Sequence, residues 1–156
     1  ALGVHLTDLF ISFMGCPTQV RAKTARVLEN AVGKDQVFVQ LDFRCGATAS
    51  ITCLSTTPFH GRITVFGSLG WIEVKENSNV DWGLPSELTI TNSEAKRKHQ
   101  VFPATNVVLK NFDSWAAAIL GKGFYRYTND QIIDNIKVLE AIVESSNQQS
   151  KLIQLK

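Results

Sequence analysis

The amino-acid sequence predicts an α+β fold, an open, predominantly antiparallel mixed sheet with helices packed on one face. Three observations carry this. The chain opens on an apolar-rich segment of helical length, continues through six or seven strand-like runs, and closes with two helical segments and a short strand. The strand-like runs alternate apolar and polar residues, whereas the last long segment repeats its apolar residues at three- and four-residue steps. The 156 residues are read as a single domain, 1–156, long enough to bury a core of its own.

Residues 3–14 have Val4, Leu6, Leu9, Phe10, Phe13 and Met14 at mixed three- and four-residue steps, which predicts a broadly buried helix. Gly15 followed by Pro17 stops it. "TQVRAKTARVL" (18–28) reads as a strand with one wet face, and "ENAVGKD" as a loop. In "QVFVQLDFR", Val37, Val39, Leu41 and Phe43 point one way, and Gln40, Asp42 and Arg44 the other. Cys45-Gly46 supplies the turn into "ATASITCLS", where Ala47, Ala49, Ile51 and Cys53 form the apolar side. "GRITVFGS" and "GWIEVKE" form a hairpin turning at Ser68-Leu69, with Gly67 and Gly70 giving the backbone its freedom.

"NSNVDWGLPS" is a loop, and "ELTITN" and "HQVFPA" are further strands separated by "SEAKRK". A helix is expected from about Val107 to Leu120, with Trp115 in the core. "TNDQIIDNIKVLEAIVESS" is the clearest helix. Thr128 or Asn129 caps it, Asp130 suits its positive end, and Ile132, Ile133, Ile136, Leu139, Ile142 and Val143 form an apolar stripe. "KLIQL" ends the chain as a short strand. Thr, Ser, Gln and Arg on the far face of the sheet suit a subunit interface.

Composition narrows the function. Hydrophobic residues make up 44% and charged residues 19%, as in a soluble globular protein. A net charge of +2 predicts no strong attraction to nucleic acid or membrane. No apolar run approaches the ~18 residues of a membrane span, and no signal peptide is visible, so a cytoplasmic location is expected. Cys16, Cys45 and Cys53 lack paired spacing, and His5, His60 and His99 stand at no ligand-like distance from them, so reduced thiols and no metal are expected. Cys53 is read as a core residue, Trp82 as a packing or surface residue, and the basic run 94–100 as a solvated turn or strand edge.

Five segments share a resemblance: "GVHLTD", "GCPTQVRA", "DFRCGATASITCLST", "ITVFGSLGWIEV" and "VLEAIVESS". Together, in this order, they resemble the C-terminal domain of the Gfo/Idh/MocA oxidoreductases, which include glucose–fructose oxidoreductase and inositol dehydrogenase. The resemblance implies a glyceraldehyde-3-phosphate-dehydrogenase-like C-terminal domain. In that family a preceding Rossmann half holds NAD or NADP and carries the lysine of an E-K-P motif. No G-x-G-x-x-G lies between a strand and a helix here, so no cofactor-binding residue is assigned in this chain.

"GVHLTD" matches the tail of the family's D-x-G-x-H-x-x-D segment, which assigns His5 a catalytic role and Asp8 a substrate-binding one. Oxidising a carbinol needs a base for the hydroxyl proton, and imidazole exchanges protons near neutral pH. The positive end of a helix favours its neutral form. Asp8, three residues on, shares the helix face and could orient the imidazole, bind a sugar hydroxyl or cap backbone groups. The chain departs from the motif at its first position, where Ala1 replaces Asp.

The function implied is the substrate-binding domain of an NAD(P)-dependent oxidoreductase that moves a hydride to or from a sugar, cyclitol or related polyol. Homo-oligomerisation through the open sheet face is expected, and the domain alone should be inactive. The rival is a non-catalytic dimerisation or protein-interaction domain that has lost the dehydrogenase site.

Overall fold

The computed structural model describes residues 3–79 and 82–155. Two compact units emerge, one of residues 1–56 and 126–156, the other of residues 57–125.

The first unit is a four-stranded sheet with two helices against it. The elements are α1 (Gly3–Met14), β1 (Pro17–Ala25), β2 (Gln36–Phe43), β3 (Thr48–Leu54), α3 (Asn129–Asn147) and β8 (Ile153–Gln154), with strand order β3-β2-β1-β8. Every pairing is antiparallel. Register sets Val20 opposite Leu41 and Ile153, and Val39 opposite Ala22 and Ile51, so the predicted apolar faces coincide. Val20, Ala22, Val39, Leu41, Phe43 and Ile51, with Phe10 and Ile11 of α1 and Val138 and Ala141 of α3, form the buried core. The other sheet face is uncovered: Arg21, Lys23, Gln40, Ser50 and Thr52 are all exposed.

Beyond Ala25 the predicted strand gives way to a loop organised by Asp35. Its carboxylate accepts the Leu28 N–H at 2.8 Å and the Val27 N–H at 3.0 Å, while its own main chain bonds Ala25 and Ser55. One residue, through its side chain and its main chain, thus ties the ends of β1, β2 and β3 together. These backbone donors, that of Leu28 foremost, hold the Asp35 carboxyl below its ordinary value of 3.8.

The second unit contains β4 (Gly61–Gly67), β5 (Gly70–Glu76), β6 (Ser86–Asn92), β7 (Arg97–Phe102) and α2 (Val107–Ile119). Its strands form an antiparallel meander in sequence order. The hairpin turns at Ser68-Leu69 as expected. Gly70 is required there, because its φ is +136° and an added Cβ would lie 2.0 Å from the Thr91 carbonyl oxygen. The α+β class therefore holds, with the strands shared between two four-stranded sheets.

Three expectations need correction. Trp115 is half exposed, and α2 buries none of its residues. In α3, Ile132, Ile133, Ile136 and Val143 are about half exposed, while the buried positions are Val138, Ala141 and Ser145. α1 is buried only along Thr7, Phe10 and Ile11, leaving Phe13 outside. Periodicity identifies an apolar stripe; it does not identify the surface that covers it. No described helix is long and apolar enough to cross a membrane.

The Asp35 contacts predict an acid-sensitive term. The folded carboxyl is depressed, so its stabilisation is complete well above pH 3.8 and is lost as pH falls through the lower, folded value. Urea unfolding of Asp35→Asn should be less stable than the parent near neutrality, with the difference shrinking below about pH 4; a constant difference across that range would contradict the assignment.

Candidate functional site

The site is built at the start of α1. One face of the helix, Thr7, Phe10 and Ile11, is drawn into the core, which turns His5 and Ser12 outward on the opposite side. His5 is exposed in the first turn, and Asp8 lies half-buried on the same face. Both residues selected from the sequence thus lie in the first two turns of α1. Ala1, the departure from the motif, lies outside the described residues.

Hydrogen bonds to α3 fix the helix. The Thr7 hydroxyl, almost wholly buried, donates to Asn135 Oδ1 at 2.6 Å, with Val4 O an alternative acceptor at 3.0 Å. Asn135 Nδ2 donates to Val4 O at 3.4 Å. Gly3 leaves space beside β3, where its Cβ would stand 3.9 Å from Cys53 Sγ.

Two further residues join from the segment before α3. Arg126 Nη2 stands 3.7 Å from Asp8 Oδ2, and its guanidinium carbon is 4.3 Å from the centroid of the Tyr127 ring. The segment then locks into α3 by a capping box: Gln131 N–H donates to Thr128 Oγ1, and Thr128 N–H to Gln131 Oε1. Arg126 and Asn135 escaped sequence reading because no spacing rule links them to residues more than 115 positions earlier. The only available signal was their closeness to the Thr128 cap.

The other titratable clusters serve structure. Burial, and then the Asp134 carboxylate, raise the Cys16 thiol, and burial raises Cys53. Both are thereby kept as thiols, poor nucleophiles. Lys137 is raised by its 3.0 Å hydrogen bond to Asp134. The basic run is partnered: Lys96 pairs with Glu94 at 2.7 Å, Arg97 stacks on Trp71, and His99 faces Glu87 at 3.9 Å. The run passes from the turn before β7 onto β7, an edge strand. A concavity of about 440 Å³ follows the apolar side of β6 and β7, lined by Leu88, Ile90, Lys98 and Gln100 with His99 at its edge. The His99 ring turns to the other face, 3.3 Å from Thr89 Oγ1, so this hollow gathers no acid–base pair. Among the described residues no three His, Cys, Asp or Glu side chains could hold a metal together.

Comparison with known proteins supports the resemblance read from the sequence. Residues 1–73 match the family model of the GFO/IDH/MocA C-terminal domain. No curated protein matches the sequence. Among solved structures, aldose-aldose oxidoreductase from Caulobacter crescentus, complexed with glycerol, is 19% identical with a TM-score of 0.79, over 98% of this chain and 46% of that one. An oxidoreductase from Agrobacterium radiobacter, in complex with NAD+, L-tartaric acid and magnesium, is 19% identical with a TM-score of 0.76, over 99% and 48%. The WlbA dehydrogenase from Bordetella pertussis, in complex with NADH and UDP-GlcNAcA, is 21% identical with a TM-score of 0.71, over 99% and 44%. At these identities the likeness is one of fold, and this chain spans less than half the length of each.

Asn135→Ala should strip the buried Thr7 hydroxyl of its partner on α3, leaving it only Val4 O, and cost about 0.5–1.5 kcal/mol in urea unfolding. Amide exchange should rise first at residues 3–8; unchanged stability would show that Thr7 needs no partner there.

Proposed function

We propose that this GFO/IDH/MocA-type C-terminal domain is the substrate-facing part of an NAD(P)-dependent oxidoreductase acting on a sugar, cyclitol or related polyol. The observation that carries the reading is the placement of His5: exposed, in the first turn of a helix whose opposite face is bolted to α3, with Asp8 beside it. The match over residues 1–73 and the dinucleotide complexes of the compared proteins support the reaction class. Their glycerol, L-tartaric acid and UDP-GlcNAcA support a small hydroxylated substrate.

The described residues do not fit a dinucleotide site. The glycines of the "GSLG" segment close a hairpin, and Gly70 is pressed against the main chain of β6, not open to a phosphate. On this reading the hydride chemistry belongs to a cofactor held elsewhere in the full-length protein. What this chain contributes is proton transfer and orientation. Neutral His5 accepts the hydroxyl proton as the carbinol becomes a carbonyl, and returns it in the reverse direction. Asp8 fixes the charge around the imidazole and offers an acceptor to a neighbouring hydroxyl. The half-buried position of Asp8 limits its competition from water.

The uncovered polar face of the first sheet supports the second part of the reading, association of like chains. Its Ser, Thr and Gln side chains can exchange hydrogen bonds with a copy of the same face.

In the full-length protein, His5→Ala should lower kcat by roughly 10²- to 10⁴-fold while leaving NAD(P)H affinity by fluorescence titration unchanged. Undiminished turnover, or no dinucleotide binding by the parent, would overturn the reading and favour an interaction module. Sedimentation of Gln40→Arg/Ser50→Arg should shift the protein to smaller species. An unshifted oligomer would place the interface on another surface.

A further inference from the structure

The fold and the proton chemistry leave Arg126 unexplained. Its side chain is 60% exposed, yet it is held on two sides, by the Tyr127 ring and by Asp8. Stacking on an aromatic ring fixes the plane of a guanidinium, so little freedom remains to be lost when a ligand binds. The Asp8 oxygen, at 3.7 Å, is beyond hydrogen-bond reach, so it orients the fork without saturating its five N–H donors.

A purely structural role accounts poorly for this geometry. An exposed pair at that distance adds little to stability. The segment is already anchored by the Thr128–Gln131 capping box immediately after it. What remains is a planar cation, pre-set and open to solvent, paired with the residue that shares a helix face with His5. That arrangement matches a carboxylate, which a guanidinium grips through two parallel hydrogen bonds.

Resting on the function proposed above, we infer that Arg126 is a specificity-determining residue that binds the carboxylate of an acidic polyol, a sugar acid or hydroxy acid. Its grip sets the hydroxyl-bearing carbon toward His5. Asp8 then has two tasks: it holds the guanidinium in place, and it partly balances the positive charge, so that neutral polyols are not excluded outright.

The test uses the full-length protein and three pairs of probes differing in the acid group: D-galacturonate and D-galactose, D-gluconate and sorbitol, L-tartrate and threitol. Calorimetry should show at least one acid binding about 10- to 100-fold tighter than its neutral partner, with the preference falling as salt rises. Arg126→Gln should abolish the preference and leave the neutral probe unchanged, and Arg126→Lys should restore part of it, since charge survives but the fork does not. Parent protein that distinguishes no pair, or a preference that survives Arg126→Gln, overturns the inference and leaves the role of His5 standing. A preference lost in Arg126→Gln while His5→Ala keeps full turnover upholds the carboxylate site and removes the proton-transfer reading.

Discussion

The interaction on which the first unit depends is the contact of α3 with β1, centred on Ser145. Its fully buried hydroxyl accepts the Ala22 N–H at 2.9 Å and donates to Lys151 O at 2.6 Å. The Ala22 donor needs such a partner because β8 pairs only with Gln19 and Val20 and ends before reaching it. A buried orphan N–H would cost about as much as a lost hydrogen bond. Ser145 therefore completes the strand ladder from a helix. Beside it Thr24 and Ser146 hydroxyls meet at 2.5 Å, and the small side chains of Ala22 and Ala141 let the two backbones approach.

Once α3 is seated, the candidate site follows. Asn135 lies about three turns before Ser145 on the same helix and reaches Thr7, which sets α1 and turns His5 outward. The start of α3 carries the Thr128 cap, and two residues before it Arg126 stands 3.7 Å from Asp8. One helix thus positions both sides of the cluster, its middle holding α1 and its beginning holding the arginine. Sites built on such elements keep their geometry better than sites on free loops.

The apolar surface left over is as informative as the core. The stripe on α3, the whole of α2 and Phe13 on α1 offer large side chains to solvent. Apolar surface left open on a helix marks contact regions in soluble proteins. It agrees with a chain that spans 44%, 46% and 48% of the three compared proteins.

What the sequence determined by itself was everything governed by local chemistry. Period-two alternation placed the inward faces of β1, β2 and β3, since side chains alternate across a strand whatever the partner. Gly15, Gly46 and Gly70 marked reversals that need positive φ, and Thr128 or Asn129, with Asp130, announced the start of α3. The shared helix face of His5 and Asp8 was legible because three residues on a helix is a fixed distance, while their proposed roles came from the resemblance of "GVHLTD" to a family motif. Only the tertiary structure decided the division of the strands into two sheets and the face of α3 that became core, because an apolar stripe is attracted equally to any apolar surface. Nor could the sequence join Arg126 to Asp8 or Asn135 to Thr7. Those pairs form through the docking of α3 on β1, an event set by packing across more than a hundred residues and written in no local pattern.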